Sequence, residues 1–291
     1  MDGVININKP VAMTSFDVIA ILRKTLNMKK IGHTGTLDPD ATGVLPVCVG
    51  KGTKLVEMLT ANDKQYEAEV KLGIVTDTQD ISGNILKTSD VCVDFDDIKK
   101  AALEFIGEQE QIPPMYSAIK IDGKKLYELA RDGKTVERKP RKINIQNITV
   151  YDYNSECNTF KMTVDCSKGT YIRTLANDIG EKLGCGATLS ALNRTKSGRF
   201  SIESAYTLEQ IKNMTEKNDY SFITPVDEVM CEYKKIVLAE NNAFKLKNGV
   251  TFDVSGLNIG ETYRIYDESK NFLAIAEKDN TCLVIQKTFF G

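Results

Sequence analysis

The sequence predicts an α+β fold: a mainly antiparallel sheet flanked by helices, with a small β-rich appendage toward the C-terminal end. Three observations carry this. Several segments alternate apolar and polar residues with period two, as a sheet with one wet face requires. Amphipathic helical segments are interspersed without regular βαβ order, which argues against a parallel sheet. After a polar stretch at residues 219–232, the pattern changes to short β candidates divided by Gly, Asn and Asp turns.

In chain order, VININ alternates like a short strand, and Thr14-Ser15-Phe16-Asp17 reads as a helix start. Thr14 supplies a capping hydroxyl and Asp17, three residues on, the acidic partner. Val18, Ile19 and Leu22 give that helix its apolar face, which fades at Asn27. IGHTGTLDPDATGVLP is a loop rich in Gly and Pro. LPVCVG follows as a buried strand and TKLVEMLTA as a helix. KQYEAEVKLG alternates strictly, with Tyr66, Ala68, Val70 and Leu72 on one face. DIKKAALEFIG is an amphipathic helix and QIPPMYSAIK is irregular. RKINIQNITVYDY and NTFKMTVDC are strands, and YIRTLANDIGEKLG is a helix with Tyr171, Leu175, Ile179 and Leu183 on one side. KKIVLAE, GVTFDV, TYRIYDE, NFLAIAEK and TCLVIQK are then five β candidates. The expected division is a main domain at 1–230, with a basic insert at about 111–142, and a small domain at 233–291.

Composition narrows the function. With 42% hydrophobic and 27% charged residues, the chain has what a globular protein needs to bury a core. No apolar run approaches the about 20 residues of a membrane helix. MDGVININKP lacks the features of a signal peptide, so the expected compartment is the cytoplasm, with no membrane partner. The seven cysteines are scattered without a C-x-x-C pair, and His33 is the only histidine. This rules out a two-histidine metal centre, argues against a serine–histidine hydrolase, and leads us to expect reduced thiols with no metal. Net charge is −2, yet residues 119–142 carry nine Lys or Arg against four acids, and residues 168–199 carry six against two. Charge segregated in this way can steer a polyanion onto one face, although such a patch alone is as often a merely solvated surface.

Three segments offer chemistry. In GHTGTLDPDATGVLP, Asp38 precedes Pro39, which favours extended backbone, and Gly35 and Gly43 flank it. A carboxylate on a rigid loop suits a nucleophile or general base. It suits an Asx-type turn as well, and Asp40 competes for the role. In CSKGTYIRTLANDIGEKLG, Arg173 could hold a carboxylate ionised, or be an ordinary surface arginine. Tyr66 faces inward on its strand, as a core residue or as an aromatic face for an extruded base.

The segments KPVAMTS, GHTGTLDPDATGVLP, KQYEAEVKLG, PPMYSAIKIDGKKLYELAR, VERKPR and CSKGTYIRTLANDIGEKLG occur in this order in Met1 to about Phe200. On these the chain resembles the TruB family of bacterial tRNA pseudouridine synthases. The resemblance implies a pseudouridine-synthase-type catalytic domain with a C-terminal PUA-like RNA-binding domain. It also implies isomerisation, without cofactor, of the T-loop uridine (position 55) of tRNA to pseudouridine. At matching positions Asp38 would be the catalytic aspartate, Tyr66 would stack on the target base, and Arg173 would pair with Asp38. Tyr171 and Leu192 would line the pocket, and Lys9 and Pro10 match the KP of an N-terminal motif, with Lys9 counted among the substrate contacts. His33 would sit where the flipped nucleotide leaves the RNA stack. Lys124, Lys125 and Arg141 of the basic insert would hold phosphates of the T-arm.

The sequence departs from the family in two places. Ala12 stands where glycine is usual, so that turn is expected to avoid positive φ. Asn193 replaces one of two arginines that often follow the leucine matching Leu192; Arg194 remains, which puts one RNA or structural contact in question. The chain is expected to act as a monomer without an obligate protein partner. Two rivals to the enzyme are an inert tRNA-binding or tRNA-folding protein and a guide-dependent rRNA pseudouridine synthase.

Overall fold

The computed structural model describes residues 1–121 and 123–290. The chain opens with β1 (Gly3–Lys9), α1 (Ser15–Thr25), β2 (Ile31–His33) and β3 (Thr42–Val49). A 3₁₀ turn at Gly50–Leu55 leads into α2 (Val56–Thr60), β4 (Lys64–Leu72), β5 (Ile74–Thr76), β6 (Ile85–Thr88) and α3 (Phe95–Leu103). The basic insert lies between β7 (Gly107–Gln111) and β10 (Arg141–Asn154) and holds β8 (Lys120–Ile121), β9 (Lys124–Lys125) and α4 (Leu126–Arg131). Then come β11 (Thr159–Cys166), α5 (Ile172–Lys182), β12 (Ala187–Ser197), β13 (Phe200–Ser201), α6 (Leu208–Glu216), β14 (Ile223–Pro225) and α7 (Val226–Val229). The C-terminal part contains β15 (Lys234–Leu238), α8 (Glu240–Lys247), β16 (Thr262–Asp267), β17 (Phe272–Lys278) and β18 (Leu283–Thr288).

One ten-stranded sheet organises the main body, in the order β14-β1-β3-β12-β4-β11-β10-β7, with β13 on β12 and β2 on β3. Its ladders are antiparallel except where β12 meets β3, with Asn193 opposite Thr42 and Arg194 opposite Gly43. That junction requires a glycine: Gly43 has φ 101°, and a Cβ there would lie 2.3 Å from the carbonyl oxygen of Arg194. Two half-cores flank the seam. One packs β4, β10 and β11 against α3 and α5, the other packs β1 and β3 against α1 and α6, and Tyr66 and Leu192 touch both.

Local chemistry explains the elements. Thr14 and Asp17 form a reciprocal capping box at α1, which ends beside Asn27 in the left-handed region (φ 49°). β3 is buried on both faces, which is why LPVCVG lacks alternation. β12, an 11-residue strand absent from the sequence expectations, has register shifts at Leu189/Ala191 and Arg194/Lys196 that break the period-two signal.

Two expectations are corrected. GVTFDV is not a strand; the C-terminal sheet has four strands, β15-β16-β17-β18, and the segment leaves α8 through a Schellman motif. There Gly249 (φ 70°) donates to the carbonyl of Leu246 and Val250 to that of Lys245. Ala12 does adopt positive φ, at 60°. The turn it sits in is clasped by the Lys9 ammonium, which donates to the carbonyls of Pro10 and Met13.

Candidate functional site

Asp38 lies in the loop between β2 and β3, at the seam of the two half-cores. Its side chain is 46% accessible, and Arg173 Nη2 stands 3.2 Å from its Oδ2. Arg173 is buried in the first turn of α5, and both of its terminal nitrogens are engaged. Nη1 donates to Asp80 Oδ2 (3.1 Å) and the Thr78 carbonyl (3.2 Å), and Nη2 to the Tyr116 carbonyl (2.7 Å). One guanidinium therefore bridges two carboxylates and two backbone segments, which fixes its plane. Asp80 is held in turn, its Oδ1 accepting from Thr78 Oγ1 (2.8 Å) and the Ser82 amide (3.1 Å). Gln79, next to it, is held at φ 63° and accepts from Thr174 Oγ1 on α5 (2.9 Å).

The electrostatics oppose one another. Protein surrounds Asp38 although its tip meets solvent, and burial pushes its carboxyl above the ordinary range, with Asp80 and Asp40 adding to the rise. Arg173 pulls it back, with a smaller pull from Lys9. Tyr66 faces this site from β4, across from Arg194 in the ladder. Burial raises its phenol while Arg194 opposes, so the hydroxyl keeps its proton at neutral pH. Tyr171 caps α5, its backbone gripped by Gln111: its amide donates to Gln111 Oε1 (2.8 Å) and its carbonyl accepts from Nε2 (3.1 Å). Its phenol is also raised by burial, with Arg141 and Arg173 opposing. Leu192 is half-buried on β12, opposite Ala68.

The structure thus brings Asp38, Tyr66, Tyr171, Arg173 and Leu192 to one seam, with His33 at its rim. The imidazole Nδ1 accepts from the Gly35 amide (3.3 Å), and burial, aided by Arg194, pushes the ring below its ordinary pKa. His33 is therefore neutral at pH 7, with its proton on Nε2.

Lys9 needs reassignment. It is 0% accessible, so it cannot touch a substrate directly. Its Nζ donates to Pro39 (3.1 Å) as well as to Pro10 and Met13, which pins the peptide after Asp38 to the end of β1. Burial lowers its pKa to about 8, against the pull of Asp40 and Asp38, and it remains charged at neutral pH. Arg194 is likewise buried, its Nε donating to the Val44 carbonyl (2.7 Å), so the contact it keeps is structural. Lys124 and Arg141 are exposed, and Lys125 donates to the Tyr127 hydroxyl (3.1 Å). Neither lysine joins the Asp38 cluster; Arg141 lies at its edge, opposite Gln111 in the β7–β10 ladder and close enough to act on the Tyr171 phenol, and the root of the insert reaches the cluster through Gln111 and Tyr116.

Asp80, Gln111 and Ser15 were not anticipated. Ser15 Oγ accepts from the Leu37 amide (3.0 Å) and donates to its carbonyl (3.3 Å), clamping the residue before Asp38. The one local signal for Asp80 was the turn-forming composition of DTQDISGN.

Comparison with known proteins agrees along the chain. Residues 23–172 match the N-terminal domain of the TruB family pseudouridylate synthases, and residues 173–231 match the tRNA pseudouridylate synthase B C-terminal domain. A tRNA pseudouridine synthase B of Clostridium novyi (strain NT) is 45% identical over 291 residues, covering 99% of both chains. That of Bacillus subtilis (strain 168) is 44% identical over 285 residues, covering 94% of this chain and 92% of its own. Among solved structures, a chain of a Cbf5-Nop10-Gar1 complex superposes with a TM-score of 0.75 at 27% identity, covering 99% of this chain and 85% of that one.

Proposed function

The chain belongs to the TruB family of pseudouridylate synthases, and from that membership we propose that it isomerises the T-loop uridine of tRNA, at position 55, to pseudouridine, with Asp38 as the catalytic carboxylate. The observation that carries this reading is the Arg173 bridge, which holds the half-exposed Asp38 carboxylate at the seam beside an inward tyrosine.

The reaction breaks the N1–C1′ bond, turns the uracil and rejoins it through C5, which then loses its proton. An ionised carboxylate can attack a carbon of the nucleotide, or accept that proton. Arg173 keeps Asp38 ionised against its burial. Tyr66 offers a ring face to the base, Leu192 and Tyr171 close the pocket, and neutral His33 occupies the rim where the base leaves its stack. Lys124, Lys125 and Arg141 hold phosphates of the T-arm, and the C-terminal sheet is a PUA-like extension of the RNA surface. The chain acts alone, in the cytoplasm. The 45% identity to a tRNA pseudouridine synthase B, against 27% to the Cbf5 chain, favours this over a guide-dependent enzyme.

The test is tritium release from a T-arm hairpin carrying C5-tritiated uridine, with the chain and Asp38→Asn compared. Release by the parent alone is expected. Release by both moves the chemistry off Asp38, and release by neither, with hairpin bound, sinks the enzymatic reading.

A further inference from the structure

Phe16 is a large apolar ring that the core does not use: it is 69% exposed, although it is the second residue of α1. A single exposed apolar residue on a protein surface ordinarily calls for no explanation. This one is held in place, and by the catalytic loop. Its neighbour Ser15 is buried and makes both hydrogen bonds of its hydroxyl with Leu37, the residue before Asp38. Thr14 and Asp17 close the helix start on either side, so the backbone presenting the ring is fixed. The ring itself meets His33 edge to face, with centroids 5.6 Å apart and planes at 90°.

We propose that Phe16 is a substrate-contact residue, a stacking platform for a nucleobase of the T-loop beside the one that flips. The inference rests on the reading of the chain as a tRNA-modifying enzyme and adds a contact to that site. The geometry sets the role. The edge-to-face contact with His33 leaves Phe16 69% exposed, so aromatic surface stays free beside an imidazole whose Nδ1 is taken by the Gly35 amide. An RNA loop that has given up one base presents the π-face of its neighbour, and aromatic side chains bind such faces with little regard to base identity. Stacking of this kind is sequence-tolerant, so tryptophan or tyrosine at position 16 should serve, whereas alanine or leucine should not.

The experiment uses the full chain and T-arm hairpins with 2-aminopurine placed at single loop positions, a base whose fluorescence falls when it stacks. Phe16→Ala is expected to weaken hairpin binding between about 5-fold and 150-fold, raising KM more than it lowers kcat. It should abolish the quench at one loop position while leaving the others, and Phe16→Trp should restore both. The melting temperature should not move, because the ring is exposed. If Phe16→Ala binds and quenches like the parent, the platform is overturned, and the tRNA reading stands. If kcat falls while affinity and every quench are kept, Phe16 merely braces His33, and the platform is equally overturned. Failure of the parent itself to bind any hairpin would instead overturn the functional reading, and the platform with it.

Discussion

Arg173 is shared between Asp38 and Asp80, and that sharing decides how Asp38 titrates and how firmly it is aimed. Burial lifts the Asp38 carboxyl above its ordinary 3.8, and Arg173 is the strongest influence in the other direction. If Asp38 acts as the catalytic carboxylate, kcat should decline as pH falls through that raised value. Arg173→Gln removes the opposing charge and should move the acid limb to higher pH; a kcat–pH profile with saturating hairpin checks this, and an unmoved limb would sink the electrostatic role. Asp80 acts through Arg173, fixing the guanidinium plane through Nη1. Asp80→Asn should lower kcat by up to about 100-fold, the scale of a misplaced catalytic geometry, with KM little changed. The contrast between Asp38 and Asp80 shows what the sequence could tell. The proline and two glycines around Asp38 left it open against an Asx-type turn and against Asp40, and only the resemblance singled it out. Asp80 is an acid in a polar turn, and only the fold brings it to α5. Lys9 was visible as a motif residue, but its burial was not, and burial turns it from a substrate contact into the pin of the Asp38 loop.

At the scale of elements, strands with one wet face and helices with paired caps were legible, because period and capping are local. β4, β10, β11, α1 and α5 all lie where alternation or helical spacing puts them. What escaped was set by tertiary contacts. β12 is the strand that joins the two halves of the sheet, yet its bulges scramble its period. GVTFDV looked like a strand because its apolar residues alternate, while the Gly249 that begins it is consumed in ending α8. Ala12 shows a local rule overruled. Its φ of 60° is held by Lys9 clasping the carbonyls on both sides of it. A left-handed conformation costs an L-residue about 1–2 kcal/mol, and glycine gives back about 0.5–1 through backbone entropy. Ala12→Gly should therefore stabilise the protein by about 0.5–1 kcal/mol, a rise of about 1–3 °C in Tm. Thermal unfolding of the two chains decides it, and a lower Tm for the glycine variant would show that the turn is not strained.

For the molecule as a whole, charge and domain division were only partly visible. A net charge of −2 conceals a basic insert whose N-terminal root is anchored at the site by Gln111 and Tyr116 while its lysines remain outside. If Lys124, Lys125 and Arg141 each meet a phosphate, replacing all three with Gln should flatten the dependence of log K on log salt by about 2–3; filter binding at several salt concentrations reads it, and an unchanged slope removes the insert from the interface. The C-terminal sheet was legible as a separate β pattern, but not its attachment. Ile275 and Phe289 share a buried cluster with Val4, Val44, Cys48 and Leu55, and Lys54 Nζ donates to the Thr288 carbonyl at 2.6 Å. One side of the main sheet is thus completed by residues from the far end of the sequence, Ile275 and Phe289 packing near Val4 of β1. An appendage that served only to bind RNA could be removed at a cost in affinity alone. Here removal opens an apolar cluster, and each large side chain left without its partner loses part of the about 1.5–3 kcal/mol that its burial contributes. A chain ending at residue 232 should therefore melt well below the full protein and bind a hydrophobic dye, before any question of tRNA arises. A truncated chain that melts at the parent temperature would mean that the two parts stand independently.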